Sequence, residues 1–198
     1  MGNIRVESSI SRTFPPDVVY FGIHIGKVAP TSAELSGYSK TVIDAIIEGI
    51  EELDIDEERL EETYFRISVN RELVDGKYVD NGFLLDSGYT ISSYIDYELM
   101  EGIRDMLTDL GIEYTVSYGL EDESEIRHGL LAEAVKSSRL KASIIASAAD
   151  REVGEMVSVD YSDTGRCTGA RLLACQNSDA KPHDIDIRES VVVEWAIE

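Results

Sequence analysis

Three histidines, two cysteines and a short basic cluster are the residues of this chain best suited to bind or react. His24, His128 and His183 fall on separate segments, and none pairs in the His-x-x-x-His spacing that sets two imidazoles on one helix face. Cys167 and Cys175 lie eight residues apart, flanked by Gly165 and Gly169. A disulfide across a hairpin fits that spacing, but two reduced thiols are the expectation for a cytosolic chain. Two cysteines without a neighbouring histidine are too few for zinc. Carboxylates are so abundant that any pair of them carries little catalytic information. The acidic run from Glu51 to Glu62 lacks the ligand order of an EF-hand. No Gly-x-Ser-x-Gly elbow, Walker loop or dinucleotide fingerprint occurs. These readings predict a non-enzymatic chain with no catalytic residue, no metal and no cofactor.

The basic cluster is Lys136, Arg139 and Lys141. It is the candidate contact for an anion or for a partner's carboxylates. The competing reading is structural: Glu133 stands at helical distance from Lys136, and such pairs decorate solvated helices. Arg139 is the residue expected in a half-buried pair, because a guanidinium satisfies two acceptors at once. Ten tyrosines add a second candidate surface. Tyr64, Tyr78, Tyr89, Tyr94, Tyr97, Tyr114 and Tyr118 fall on or beside strands, where an aromatic face serves either cross-strand packing or a protein interface.

The elements that must position these groups follow from periodicity. Ile4, Val6, Ser8 and Ile10 alternate with polar neighbours as a half-buried strand. After the turn at Phe14-Pro15-Pro16-Asp17, a second strand from Val18 to Val28 places Val19, Phe21, Ile23 and Ile25 on one face and Gly22, His24 and Gly26 on the other. Thr31-Ser32-Ala33-Glu34 reads as a capping box opening a helix through Leu35, Tyr38, Val42, Ile46, Ile50 and Leu53. Asp54 to Glu62 reads as an acidic loop with room for one helical turn. A hairpin follows: Tyr64 to Val74, the Asp75-Gly76 turn, then a long strand from Lys77 towards Tyr94, bent near Gly82 or Gly88. A second helix starts near Asp96, carries Leu99, Ile103, Leu107 and Leu110, and stops at Gly111.

Ile112 to Leu120 alternates cleanly as a strand. A third, long helix over Glu123 to Asp150 presents Ile126, Leu130, Ala134, Ser138, Ala142, Ile145 and Ala149, a stripe small enough for close approach to a sheet. Strands are expected at Met156 to Asp160, Ala170 to Cys175 and Ile187 to Glu198, with loops at Asp163 to Gly169 and Asn177 to Asp184. Hairpins mixed with helices predict an α+β fold: mostly antiparallel sheet or sheets, with three amphipathic helices packed on one side. Residues 1–198 form one domain, or two intimately packed subdomains.

Composition bounds the partners. Eighteen basic residues against 39 acidic ones give a formal charge of −21 and a pI near 4.4. Such a surface repels phosphate backbones, which excludes nucleic acid bound through a basic footprint, and it disfavours anionic lipid. No apolar run approaches the ~18 residues of a membrane span. The N-terminus carries no leader pattern, so the expected compartment is the cytoplasm; an omitted leader would place the protein in the periplasm or outside the cell.

The order of these elements and several local patterns resemble the SIMPL-domain family, the YggE-like bacterial proteins of unknown function. The carrying residues are Pro16-Asp17 before the second strand, Thr31-Ser32-Ala33-Glu34, Gly88-Tyr89 with Tyr94, Leu110-Gly111-Ile112, and Ala134-Val135-Lys136 with Ser137-Ser138-Arg139-Leu140-Lys141-Ala142. The resemblance covers about Ile4 to Tyr161, and the last strand fits too. Two places depart from the pattern. Ser137-Ser138 stands where the family usually has Asp-Ala, and Ala149-Asp150 replaces the usual Leu-Gly. The resemblance brings no established catalytic residue. It implies a loose link to signalling and stress defence, and it fits the expectation of a homo-oligomer or of contact with an unidentified protein partner.

Overall fold

The computed structural model describes residues 2–74, 76–162 and 182–198. The strand expected at Ala170 to Cys175, both cysteines and most of the two neighbouring loops lie outside these residues. The described chain forms β1 (Gly2–Phe14), β2 (Val18–Ala29), α1 (Ser32–Glu52), β3 (Leu60–Val74), β4 (Lys77–Tyr94), α2 (Tyr97–Asp109), β5 (Glu113–Gly119), α3 (Glu123–Ser147), β6 (Val153–Asp160) and β7 (Ile185–Ile197). All strand pairings are antiparallel, and the fold is α+β.

The described residues fall into two compact units. The second, residues 17–119, is inserted in sequence between the N-terminal strand and the remainder of the first.

The first unit joins the ends of the chain. β7 lies between β1 and β6, with Val6 opposite Val193 and Ile4 opposite Trp195. α3 packs on this sheet through Leu130, Ala134, Ser138, Ala142 and Ala146. The small-residue stripe therefore runs as the spacing predicts up to Ala142. It then continues four residues on to Ala146 rather than to Ile145, which is exposed. Each step of four advances about 40° around a helix of 3.6 residues per turn, so the buried stripe winds around α3 as it crosses the sheet instead of running straight along the helix. The helix also ends at Ser147, short of Asp150, where a left-handed φ of 53° closes the turn.

The second unit orders its sheet β3-β4-β2-β5. α1 and α2 cover one face: Ile46, Ile50, Ile103 and Leu107 are fully buried with Phe21, Leu85 and Ile91. Thr31 caps α1, its hydroxyl accepting from the Glu34 amide at 3.3 Å. Asp96 caps α2, accepting from the Glu98 and Leu99 amides at 2.9 and 3.0 Å. Both caps lie where the sequence places them. The acidic loop is shorter than expected, because a 3-10 turn at Glu57–Arg59 leads straight into β3 at Leu60.

The pairing of β3 with β4 is irregular at both glycines. Opposite Val69 and Arg71 the register jumps from Phe83 to Asp80, which makes Asn81 and Gly82 a bulge, and Gly82 adopts φ +73°. A Cβ on Gly82 would stand 2.5 Å from the Ala29 carbonyl oxygen. At Gly88 the extra residue is Thr63 on β3, and any Cβ there would overlap the Tyr64 ring.

Candidate functional site

In the second unit's sheet, side chains of β2 and β4 that avoid the core share the face away from α1. The phase that buries Phe21, Ile23 and Ile25 turns Gly22, His24 and Gly26 to this other side, as the alternation predicts. Register places His24 opposite Gly88 and Gly26 opposite Asp86. His24 and Asp86 are thus diagonal neighbours across a glycine floor. Asp86 accepts from Tyr64 Oη at 3.1 Å and Arg66 Nη2 at 2.9 Å, and it meets His24 Nε2 at 3.2 Å. The hydrogen bond from His24, then that from Tyr64, hold the Asp86 carboxyl below the usual aspartate range. Loss of water around the Tyr64 hydroxyl, with its bond to Asp86 second, pushes that phenol up.

This cluster fastens β3 to the middle of the sheet. It is satisfied internally, with three donor side chains on one carboxylate, so it braces the edge strand rather than offering an open binding geometry. Sequence reasoning missed it. Residue type points to His24 but not to Asp86, because their proximity depends on a strand register that periodicity alone leaves open.

The strand so braced is the outermost of its sheet. β3 is 15 residues long, and among the described residues nothing pairs with its outer edge. It carries large exposed apolar groups: Phe65 and Val69 are each 44% accessible and Leu73 64%. Tyr78 on the paired stretch of β4 is 76% accessible. The other three edge strands are better guarded. β1 displays Arg5 and Arg12, paired to Asp160 and Glu133 at 2.9 and 2.8 Å. β6 is eight residues with two register shifts, and β5 is seven. Bulges, charges and shortness are the usual protections of a sheet edge; β3 has register shifts and charges of its own, but it is the longest of the four edges and exposes the most large apolar side chains.

The basic cluster is not gathered into one site. Lys141 Nζ donates to the Glu7 carbonyl at 3.2 Å and to Ser8 Oγ at 3.4 Å, reaching β1. Arg139 instead lies over the Trp195 ring of β7, 5.6 Å from its centroid, and it is exposed rather than half-buried in a pair. Lys136 is exposed, and Glu133 turns to Arg12 instead, accepting two bonds from its guanidinium. Both bonds start at Nη2, so Glu133 is engaged by β1 rather than by Lys136, three residues along its own helix.

The buried ionic network of this unit is elsewhere. Arg127 bridges Glu123 and the buried Glu189 at 2.7 and 2.6 Å, while Tyr161 donates to Glu189 at 3.2 Å. His128 sits on α3 and His183 precedes β7. Among the described residues no three His, Cys, Asp or Glu side chains converge as a metal site.

The tyrosines divide. Tyr89 is buried, and Tyr114 and Tyr118 pack against the core, whereas Tyr64, Tyr78, Tyr94 and Tyr97 are exposed. A cleft of about 480 Å³ opens in the second unit beside β2, lined by His24, Tyr38, Thr41, Val42, Ile112 and Glu113.

Comparison with protein families decides the kinship: residues 4–195 match the model described as SIMPL, protein of unknown function (DUF541). The chain belongs to the SIMPL family. The match spans both compact units, so the SIMPL pattern includes the inserted four-stranded unit and the closing strand β7. No curated protein matches the chain. Among the described residues of this SIMPL member, no helix is long and apolar enough to cross a membrane.

Proposed function

We propose that this SIMPL protein is non-enzymatic and works by protein–protein contact, assembling with itself through a sheet edge. The observation that carries this reading is β3: a long outer strand, unpaired among the described residues, with Phe65, Val69 and Leu73 exposed. An unpaired edge presents a row of backbone donors and acceptors, and pairing satisfies them while removing apolar side chains from water. The Asp86 cluster supports the same reading, because a strand pinned to its sheet loses little freedom on binding. Signalling or stress defence is the setting the family resemblance implies.

Static light scattering at micromolar concentration tests it. Assembly gives a mass above 22.0 kDa, and a sharp 22.0 kDa species overturns the reading.

A second reading, small-molecule binding, is favoured by the cleft beside β2, whose volume falls in the range of ligand pockets. It moves the alternative from the dispersed cluster of Lys136, Arg139 and Lys141 to the second unit. A thermal-shift screen distinguishes it, since a ligand at 100 times Kd adds about 2.7 kcal/mol.

A further inference from the structure

The sequence of β3 is self-complementary in one antiparallel register. We infer that a second copy of this chain pairs with β3 about a two-fold axis through Val69, with Val69 opposite Val69 of the second copy. This deepens, and depends on, the reading of β3 as the contact edge. In that register Phe65 meets Leu73 of the second copy on the face shared with Ile67, and the symmetric contact repeats it. On the opposite face Arg66 meets Glu72 of the second copy, and Ser68 meets Asn70. The first row is apolar at Val69 and at Phe65 with Leu73, and between them Ile67 meets Arg71 of the second copy, whose guanidinium is held to Asp80 at 3.0 Å; the other row ends in opposite charges, which stabilise cross-strand neighbours.

Neighbouring registers lose this match. A slip of one residue sets Arg66 against Arg71 of the second copy and flips side chains between faces. A further slip breaks both Phe65–Leu73 and Arg66–Glu72, setting Phe65 against Arg71 and Glu72 against Tyr64. The side chains needed are in place: Phe65, Val69 and Leu73 are exposed, and Arg66, held to Asp86 at 2.9 Å, projects from the bracing cluster. Glu72 is exposed at the other end of the same face.

Charge favours a second copy as occupant. Two chains of formal charge −21 repel, yet Tyr64 to Leu73 holds two arginines and one glutamate, a local balance of +1. Glu61 and Glu62, at the start of the same strand, fall outside the paired stretch in this register, so no carboxylates are set opposite one another within it. An isologous pair also closes on itself, so each copy consumes its own exposed edge.

Disulfide trapping tests the register. Directly opposed Cα atoms in antiparallel strands stand ~4.5–5.5 Å apart, within disulfide reach. In a Cys167→Ser, Cys175→Ser background, Val69→Cys is expected to form a disulfide-linked dimer on mild oxidation. Phe65→Cys and Leu73→Cys chains are expected to cross-link to each other when mixed and several-fold less when each is alone. Val79→Cys, exposed on β4 but away from the edge, serves as the control.

If light scattering reports an oligomer while Val69→Cys links no better than Val79→Cys, the register is overturned and edge assembly stands. A 22.0 kDa monomer overturns both. With the native cysteines retained, a disulfide within one chain from the thiol at position 69 to Cys167 or Cys175 would show the edge covered by the chain itself, and would also overturn the pairing.

Discussion

Asp86 shows how one carboxylate can organise a sheet face. Three donors on β2 and β3 converge on it, and they favour its ionised form, so its pKa falls on folding. The sign follows. A group whose pKa is lower in the fold stabilises it fully above the unfolded value, near ~3.9, and loses that contribution as pH falls through the folded value. Asp86→Asn is therefore expected to lower the melting temperature at neutral pH, with the gap to wild type closing below about pH 4. Melting curves across pH check this, and a gap that persists unchanged into acid contradicts it. Tyr64 runs in the opposite sense, its raised phenol pKa favouring the fold until alkaline pH.

At the scale of elements, α3 is the most demanding. Ala134, Ser138, Ala142 and Ala146 let its axis lie close to β7 and β1, and Trp195 Nε1 donates to Ser138 Oγ at 3.3 Å beneath it. Ala142→Leu is expected to cost about 1–3 kcal/mol, because the added carbons have no space and the helix must lift. Leu140→Ala, on the exposed side, should change stability by less than about 0.5 kcal/mol. Denaturant midpoints of the two variants compare them directly.

That stripe was legible in the sequence up to Ala142 because its period is local, as were the caps at Thr31 and Asp96 and, at Gly82, the interruption of the long strand. What was not legible is long-range. Glu133 is bound to Arg12 from 121 residues away, displacing the Lys136 pairing that helical spacing predicts. β1 and β7 pair across nearly the whole chain. The candidate contact moved for the same reason. Arg139 and Lys141 are close in sequence but reach different strands and Lys136 stays exposed, while the exposure of Phe65, Val69 and Leu73 depends on which strand ends the sheet. Alternation identified β3 as a strand; only topology makes it an edge.

For the molecule as a whole, the acidic surface and the apolar edge act against each other. A charge of −21 keeps chains apart at low ionic strength, where the Debye length is ~30 Å at 0.01 M and ~8 Å at 0.15 M. Association through β3 should therefore strengthen with added salt, the reverse of a contact built on opposite charges. Placing a charge in the centre of the edge should abolish it, since lysine on an edge strand is itself a guard against pairing. Val69 is exposed, so Val69→Lys leaves the fold intact. The decisive measurement is light scattering of the wild type and Val69→Lys side by side at ~0.15 M salt. Assembly through β3 predicts a wild-type mass above 22.0 kDa and a variant at 22.0 kDa; equal masses for the two, whether monomeric or oligomeric, would contradict it.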